Sequence, residues 1–281
     1  MAVVMAIKEY TLNSLGGYLD LTREIRKTWP QETTPERTGD EQKLWFRGQR
    51  CWQWGLSPKL YRKPYRGADE NEIRLEFQSH AIQLIPGRAP ADKWDWYFLM
   101  QHHNVPTRLL DWTENSLVAL FFAVHEEQEP GKECDSAVWA IDPWWLNKKL
   151  RLGVTGPILP EYEESSQHLP GLEDAFDGKE VGRQLPVAIE PPHVDRRVAA
   201  QSSRFLVFGK TQDLTRSRAV KGEKGKGARV ARIRIPSSQR PSLVRELADC
   251  GIDFSAIYPD LEGLALNIIS RWKEYPSPTR K

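Results

Sequence analysis

The sequence has few cysteines, and their arrangement indicates neither a disulfide framework nor a zinc site. The three cysteines (Cys51, Cys134 and Cys250) are odd in number and far apart, and no CxxC pair occurs. This usage is typical of a protein kept in a reducing compartment.

The chain also lacks long apolar runs and a strong charge of either sign. No window approaches the roughly 18 apolar residues that a membrane span requires. The apolar run from Met1 to Ile7 is too short for the core of a signal peptide. The formal net charge is +2, so no overall field draws the protein to nucleic acid or membrane. We therefore expect a cytoplasmic protein with no membrane partner.

Several common catalytic motifs are missing as well. The sequence contains no GxxxxGK[ST] or GxGxxG loop for phosphates and no GxSxG nucleophile elbow. Histidines do not fall at metal-ligand spacing, and nothing marks a pair of catalytic carboxylates. We therefore expect no metal cofactor.

What is present fits an ordinary globular protein. Of the 281 residues, 40% are hydrophobic and 28% are charged, which allows one large domain or two small ones. No repeat and no convincing linker divides the chain, so we predict a single domain over residues 1–281. The 11 tryptophans are many, and tryptophan suits both cores and stacking on flat ligands.

Apolar spacing predicts helices and strands in an irregular order. Helices are predicted at 14–29, 70–84, 92–103, 242–250 and along a stripe through Leu261, Leu264, Ile268 and Trp272, with a further helix after a Thr113 cap whose apolar face is Leu117, Leu120, Phe121 and Val124. Strands are predicted at 43–46, 137–141, 204–208 and 229–235, the last half-exposed, and 108–112 is a short buried segment. The order lacks βαβ regularity, which favours an α+β fold around an antiparallel or mixed sheet. Residues 30–42, 151–195 and 221–227 are predicted as a loop, a long excursion and a flexible basic loop.

Arg47 stands at the end of a predicted buried strand, before a glycine that indicates a turn or a close backbone approach. A buried arginine needs a carboxylate, a phosphate or several carbonyls as partners. Two interpretations stay open: an internal ion pair with Asp111 or Asp142, or a ligand contact.

The segment Gln101 to Asn115 places many polar side chains between two apolar helices. Such groups must find partners. A purely structural interpretation pairs Arg108 with Asp111 and uses Thr113 as a helix cap, but it leaves Gln101 and His102 without an explanation. Around Gln201, an ordinary strand start explains the polar residues.

Two stretches of this sequence resemble the FRG domain family. WFRGQ contains the Phe-Arg-Gly signature as Phe46-Arg47-Gly48, and LMQHHNVPTRLLDWTENSLVALFFAV contains the family's second pattern from Gln101 to Ala123. Arg197, Gln201 and Phe205 match a third, looser pattern, with Ser203 in place of its usual glycine. Tyr258 to Leu264 resembles the closing motif. The resemblance covers about residues 44–270, after an N-terminal helical extension over 1–42.

The FRG pattern is similar, more loosely, to that of ADP-ribosyltransferases, and this similarity implies NAD as the substrate. It implies an ADP-ribosyltransferase-like core flanked by helices. By analogy Arg47 contacts phosphate or ribose, the Gly48 backbone holds the nicotinamide amide, Thr113 supports the site and Gln201 takes the third catalytic position. The other residues implied to line the cofactor site are Phe46, Gln49, Gln101, His102, Thr107, Arg108, Asp111, Trp112, Asn115 and Phe205.

The resemblance therefore implies a bacterial enzyme that transfers ADP-ribose or hydrolyses NAD, serving as a toxin or in phage defence. The acceptor, protein or nucleic acid, stays open. A glutamine at the third position neither stabilises a cation nor activates an acceptor well. The alternative is a nucleotide- or nucleic-acid-binding module without chemistry, for which the tryptophans and the Arg232 and Arg234 face argue.

Overall fold

The central feature of the fold is one seven-stranded mixed sheet. A computed structural model describes residues 7–29, 43–66, 68–85, 89–90, 92–125, 134–149, 186–191, 196–209, 211–217, 220 and 229–274. The predicted loops at 30–42 and 221–227, and most of the excursion at 151–195, lie outside the described residues.

Strands and helices alternate irregularly along the chain. The strands are β1 (Lys8–Thr11), β2 (Trp45–Gln49), β3 (Leu109–Thr113), β4 (Ser136–Ile141), β5 (Val187–Ile189), β6 (Ser203–Val207) and β7 (Val230–Ile235). The α-helices are α1 (Leu15–Thr28), α2 (Glu70–Ala81), α3 (Lys93–His102), α4 (Ser116–His125), α5 (Pro143–Lys149), α6 (Arg196–Ala200), α7 (Arg240–Asp249), α8 (Phe254–Ile257) and α9 (Leu261–Glu274).

The strand order across the sheet is β1-β7-β4-β2-β3-β6-β5. β1 runs parallel to β7, and the other neighbouring strands are antiparallel. The prediction of helices combined with a mixed sheet is confirmed. β1 and the three-residue β5 are strands that the sequence pattern did not predict, because such short segments carry too few alternations to be read.

On one face of the sheet, α4 lies at the centre of the largest apolar cluster. Val118, Ala119, Leu120, Phe121 and Ala123 are all buried there. A helix that is apolar on nearly every side is covered by other elements rather than by water. α1, α7 and α8 supply that cover through their own buried side chains. The same face carries a second cluster beside α3, formed with β3, β5 and β6.

The opposite face is rich in tryptophan. Trp45, Trp112, Trp139 and Trp145 are buried together in one cluster with side chains of β3, β6 and β7. Four of the 11 tryptophans therefore belong to this part of the core, where each ring buries much apolar area.

Gly48 lies within β2, which extends to Gln49 and so beyond the predicted strand end at residue 46. Of the two alternatives left open for this glycine, the turn does not apply. The alternative of a close backbone approach is confirmed. A Cβ atom at this position would lie 2.0 Å from the carbonyl oxygen of Ala119 and 2.6 Å from the backbone nitrogen of Ala123. Strand β2 and helix α4 are in direct backbone contact at this glycine.

The helix predictions are confirmed in position, with one correction at a helix start. The N-cap of α4 is Asn115, whose Oδ1 accepts from the backbone nitrogens of Leu117 at 2.9 Å and Val118 at 3.4 Å. The predicted cap, Thr113, is instead the last residue of β3. A glycine follows the end of α7: Gly251 has a φ of +75°, the left-handed conformation that often ends a helix.

The C-terminal helix α9 is largely exposed. Its predicted stripe is present, but Leu261, Leu264, Ile268 and Trp272 are 84%, 47%, 41% and 74% exposed. No helix within the described part of the chain is long and apolar enough to cross a membrane.

Replacing Gly48 by alanine should destabilise the fold. The added methyl group would meet backbone atoms of α4, which cannot rotate away as a side chain can. We expect a loss of about 3 kcal/mol in the free energy of unfolding, measured by chemical denaturation. The matched control is Gly16→Ala in α1, where nothing lies within 4 Å of the new methyl group. That variant should keep or gain stability, by up to about 1 kcal/mol. Equal effects of both changes would contradict the close contact.

The stability of the fold should fall between pH 6.5 and pH 4. Burial lowers the pKa of His125 to about 4 from its ordinary value of 6.5, so the unfolded chain binds a proton in this window and the folded chain does not. The difference amounts to at most about 3 kcal/mol. We expect the urea midpoint to fall over this range in the wild type and less in His125→Gln. The exposed His80, changed to Gln, is the control; a pH profile unaltered by His125→Gln would contradict the assignment.

Candidate functional site

The sheet brings the two predicted site segments together, because β2 and β3 are neighbours at its centre. β2 pairs with β4 at all five positions from Trp45 to Gln49. Over the same described residues, β2 pairs with β3 at one position, Phe46 opposite Thr113. Beyond that pair the two strands no longer share a ladder, and polar side chains occupy the junction.

Arg47 connects the two strands at this junction. Its Nη1 donates to the backbone oxygen of Asp111 at 2.6 Å and lies 3.7 Å from the Asp111 carboxylate. The side chain of Arg47 is 16% exposed. Of the two partners considered from the sequence, Asp111 is therefore in contact, whereas Asp142 is paired with Arg229 at 2.6 Å.

Gln101, at the end of α3, holds the Asp111 carboxylate from the other side. Its Nε2 donates to both carboxylate oxygens, at 2.9 and 2.8 Å. Its Oε1 accepts from the hydroxyl of Thr107 at 2.5 Å, which determines which end of the amide faces Asp111. Asn104, with a φ of +58°, turns the chain after α3 so that Thr107 returns to Gln101.

Asp111 is the exposed position of an otherwise buried strand. The other four residues of β3 are buried, whereas the Asp111 side chain is 55% exposed. An exposed carboxylate at a sheet centre, oriented by a carboxamide and next to a guanidinium, can contact a ligand without rearrangement of its support. We call Arg47, Gln101 and Asp111 the junction triad.

Arg108 is directed into the protein. Its backbone nitrogen donates to Glu70 Oε1 at 2.7 Å, and its guanidinium forms a very close ion pair with Glu70 Oε2. The purely structural interpretation that paired Arg108 with Asp111 is wrong on this point, because Arg108 pairs with Glu70. Burial raises the pKa of the Glu70 carboxyl, and the Arg108 guanidinium opposes that shift. Sequence reasoning missed Glu70, because nothing in the chain pattern links residues 38 positions apart.

Thr113 and Gln201 also meet, through the Gln201 backbone. The Thr113 hydroxyl donates to the Gln201 backbone oxygen at 2.6 Å and accepts from the Asn115 nitrogen at 2.9 Å. The Gln201 side-chain amide donates to the backbone oxygen of Ile257 at 3.2 Å, at the end of α8. These contacts join β3, the turn before β6 and α8, and they direct the Gln201 amide to α8.

Several predicted cofactor residues have packing contacts. Phe46 and Trp112 are buried in the two opposite faces of the core. Phe205 stacks on Phe98 with ring centroids 5.4 Å apart. Gln49 is buried and bonded at both ends of its amide, with Nε2 donating to the Gly55 oxygen at 3.0 Å and Oε1 accepting from Trp139 at 2.8 Å.

His102 ends α3 beside His103, with ring centroids 4.9 Å apart in an edge-on arrangement. It is half-buried and follows Gln101 directly. Among the described residues, no group of three histidine, cysteine or acidic side chains could hold a metal ion.

A row of side chains that sequence reasoning missed crosses the sheet beside Arg47. Arg47 pairs with Trp139, Trp139 with Arg232, and Arg232 with Glu9, so these four side chains share one face. The Arg232 guanidinium lies 3.7 Å from the centroid of Trp52 and 5.0 Å from that of Trp139. The alternating pattern of β7 predicted that Arg232 lies on the polar face of its strand. Only the pairing register of the sheet shows that it lies in the same row as Arg47.

Comparison with known proteins identifies the segment that contains the junction triad. Residues 42–132 match the model of the FRG domain. No curated protein and no solved structure matches the chain.

Removing the Glu70 carboxylate should destabilise the protein strongly, because it leaves the Arg108 charge buried without its partner. We expect Glu70→Ala to lose about 3–5 kcal/mol of unfolding free energy, measured by urea denaturation. Glu72→Ala is the control, since Glu72 lies on the same helix outside this ion pair. A loss below about 1 kcal/mol for Glu70→Ala would mean that water replaces the pair readily.

Proposed function

We propose, since the chain carries an FRG domain over residues 42–132, that it binds NAD at the junction triad and cleaves the bond between nicotinamide and ribose. The observation that carries the proposal is the exposed Asp111 carboxylate, fixed between Gln101 and Arg47 in a strand that is otherwise buried. In this proposal the sheet and its flanking helices serve as an ADP-ribosyltransferase-like core.

The chemistry requires a negative group at the sugar. When the bond from ribose C1′ to the pyridinium nitrogen breaks, its electron pair stays on nitrogen, and neutral nicotinamide leaves. Positive charge then develops on the ribose ring. A preorganised carboxylate stabilises that charge, and Asp111 is the carboxylate of the triad. Water then adds its oxygen to C1′ and loses a proton, which gives ADP-ribose; with another acceptor, the same position takes the acceptor's nucleophile.

Asp111 removes a difficulty that the sequence resemblance leaves at Gln201. A carboxamide stabilises a developing cation poorly, and the Gln201 amide is directed to Ile257. Asp111 supplies the negative charge from the second motif instead. Gln101 acts as a positioning residue, because it donates to both carboxylate oxygens.

Arg47 has the charge to hold the phosphates of the same ligand. A guanidinium matches phosphate oxygens in a planar, paired geometry. Its 3.7 Å separation from Asp111 places a positive and a negative group side by side. A dinucleotide presents the complementary charges, since it carries phosphates near a ribose that becomes cationic. As an NAD-consuming enzyme, the protein would serve as a toxin or a phage-defence effector.

A nucleic-acid-binding module is the second candidate, favoured by the arginines and tryptophans after β2. Arg50 lies 4.9 Å from the Trp54 ring, and Trp54 is 37% exposed. Stacking rings with cations are typical of single-strand binding. However, Arg232 and Arg234 form ion pairs with Glu9 and Asp135. Part of the positive charge is therefore neutralised within the protein, and the NAD proposal has the stronger support.

Asp111→Asn and Arg47→Ala should each lower nicotinamide release from NAD by about 100-fold or more, because each removes a charge that acts in the transition state. The measurement is nicotinamide release by purified protein, with and without cell lysate as a source of acceptor. Asp20→Asn, an exposed carboxylate on α1 with 75% of its side chain in solvent, should keep full activity. The melting temperatures of Asp111→Asn and Asp20→Asn should stay close to that of the wild type. Arg47→Ala removes the donor to the Asp111 backbone oxygen, so it should melt at a lower temperature but stay folded at the assay temperature.

The NAD proposal fails if the wild type releases no nicotinamide under either condition and NAD does not raise its melting temperature. Oligonucleotide binding that weakens steeply with salt would then support the second candidate. Unfolding of Arg47→Ala at the assay temperature would show that its loss of activity comes from the fold alone.

A further inference from the structure

Two cysteines that are far apart in sequence come together at the end of the β2–β4 ladder. Cys51 follows β2 by two residues, and Cys134 precedes β4 by two residues. The register at that end pairs Gln49 with Ala137, and the backbone nitrogen of Trp52 donates to the oxygen of Asp135 at 2.6 Å. The two chain segments therefore stay side by side beyond the ladder, and the cysteines lie near each other at this end without being a directly paired position.

The sulfur atoms share this small region. The Cys134 thiol donates to the backbone oxygen of Arg50 at 3.5 Å, and that carbonyl is bonded directly to the nitrogen of Cys51. The Cys51 thiol donates to Gln53 Oε1 at 2.7 Å. Burial and contact with the Cys51 thiol raise the pKa of Cys134 to about 11. Both residues are half-buried, so small oxidants can reach them.

We infer that Cys51 and Cys134 are a reversible redox pair, which a peroxide-class oxidant converts to a disulfide between the ends of β2 and β4. Both residues are free cysteines in this structure. The third cysteine, Cys250, is exposed at the end of α7 and takes no part.

The reaction balances with one peroxide. The Cys51 thiolate attacks a peroxide oxygen, the O–O bond breaks, and hydroxide leaves to take up a proton; Cys51 becomes a sulfenic acid. The Cys134 sulfur then attacks the Cys51 sulfur, the S–O bond breaks, and the oxygen leaves as water. Two thiols lose two electrons in total, and hydrogen peroxide becomes two waters. We assign the first attack to Cys51, because the thiolate is the nucleophile and burial raises the pKa of Cys134.

Such a pair agrees with the reducing compartment that the cysteine count indicates. Disulfides in that setting form transiently and are reduced again. The bond would lie a few residues beyond Arg47 on the same strand. It would also remove the Cys51 contact with Gln53, in the turn that carries Trp52 and Trp54. The inference stands independently of the NAD proposal, since it concerns thiol chemistry alone.

The test is thiol counting on the full-length protein before and after a stoichiometric amount of hydrogen peroxide. We expect free thiols to fall from three to one, with a peptide containing Cys51 linked to Cys134 in the non-reducing digest, and a thiol reductant to restore all three. Closing a loop of this size should raise the melting temperature by about 5 °C or more.

Three serine variants separate the pair from general oxidation. Cys250→Ser should form the same linked peptide, whereas Cys51→Ser and Cys134→Ser should not. In Cys134→Ser, a sulfenic-acid trap should label Cys51. The inference is overturned if peroxide leaves three free thiols, or if the disulfides found join Cys250 of two molecules. The order of attack is tested by comparing two labelling rates: Cys134 in the Cys51→Ser variant and Cys51 in the Cys134→Ser variant. Equal rates would overturn the assigned order.

Discussion

The junction between β2 and β3 is the constraint on which the site depends. The two central strands pair at Phe46 and Thr113, and then the Arg47 guanidinium replaces the ladder by donating to the Asp111 backbone oxygen. One side chain thus closes a gap that would leave a strand carbonyl without a donor. The same contact brings a positive group next to the Asp111 carboxylate and leaves that carboxylate open to solvent. Arg47 therefore both supports the strand junction and takes part in the candidate site.

The polar residues of the segment Gln101 to Asn115 fall into two groups, according to whether their side chains face the protein interior or the solvent. Arg108, Thr113 and Asn115 bind partners inside the fold and stabilise the connections between β3 and its neighbours. Asp111 faces outward, with Gln101 behind it. A dense polar motif can therefore be mostly a hydrogen-bond framework that holds one or two exposed groups in place. This division explains why so many polar residues fit between two apolar helices without the cost of unpaired buried groups.

The sequence predicted the elements that have their own periodicity and missed those that depend on distant partners. Helix α4 and the alternating strand β7 were readable because apolar spacing is a local property. The pairing of Arg108 with Glu70 was not readable, because it is set by where α2 packs. From the sequence, Gly48 fitted a turn or a close backbone approach, and only the position of α4 shows that the close contact, within a strand, is the one that needs it. Thr113 and Asn115 are both residue types that favour the N-cap position. Asn115 is the cap because β3 extends to Thr113.

The strand order of the sheet limits how the segment that matches the FRG domain could be transferred between proteins by gene recombination. Residues 42–132 contribute β2 and β3, which lie side by side at the centre of the sheet. The outer edge of β2 is paired with β4, and that of β3 with β6, and both partners lie outside the segment. Cut out alone, the segment would expose two unpaired edges of hydrogen-bonding groups, a template for aggregation. Residues 42–132 therefore do not form an independent folding unit. A gene fusion that moves this segment has to include β4 and β6 as well.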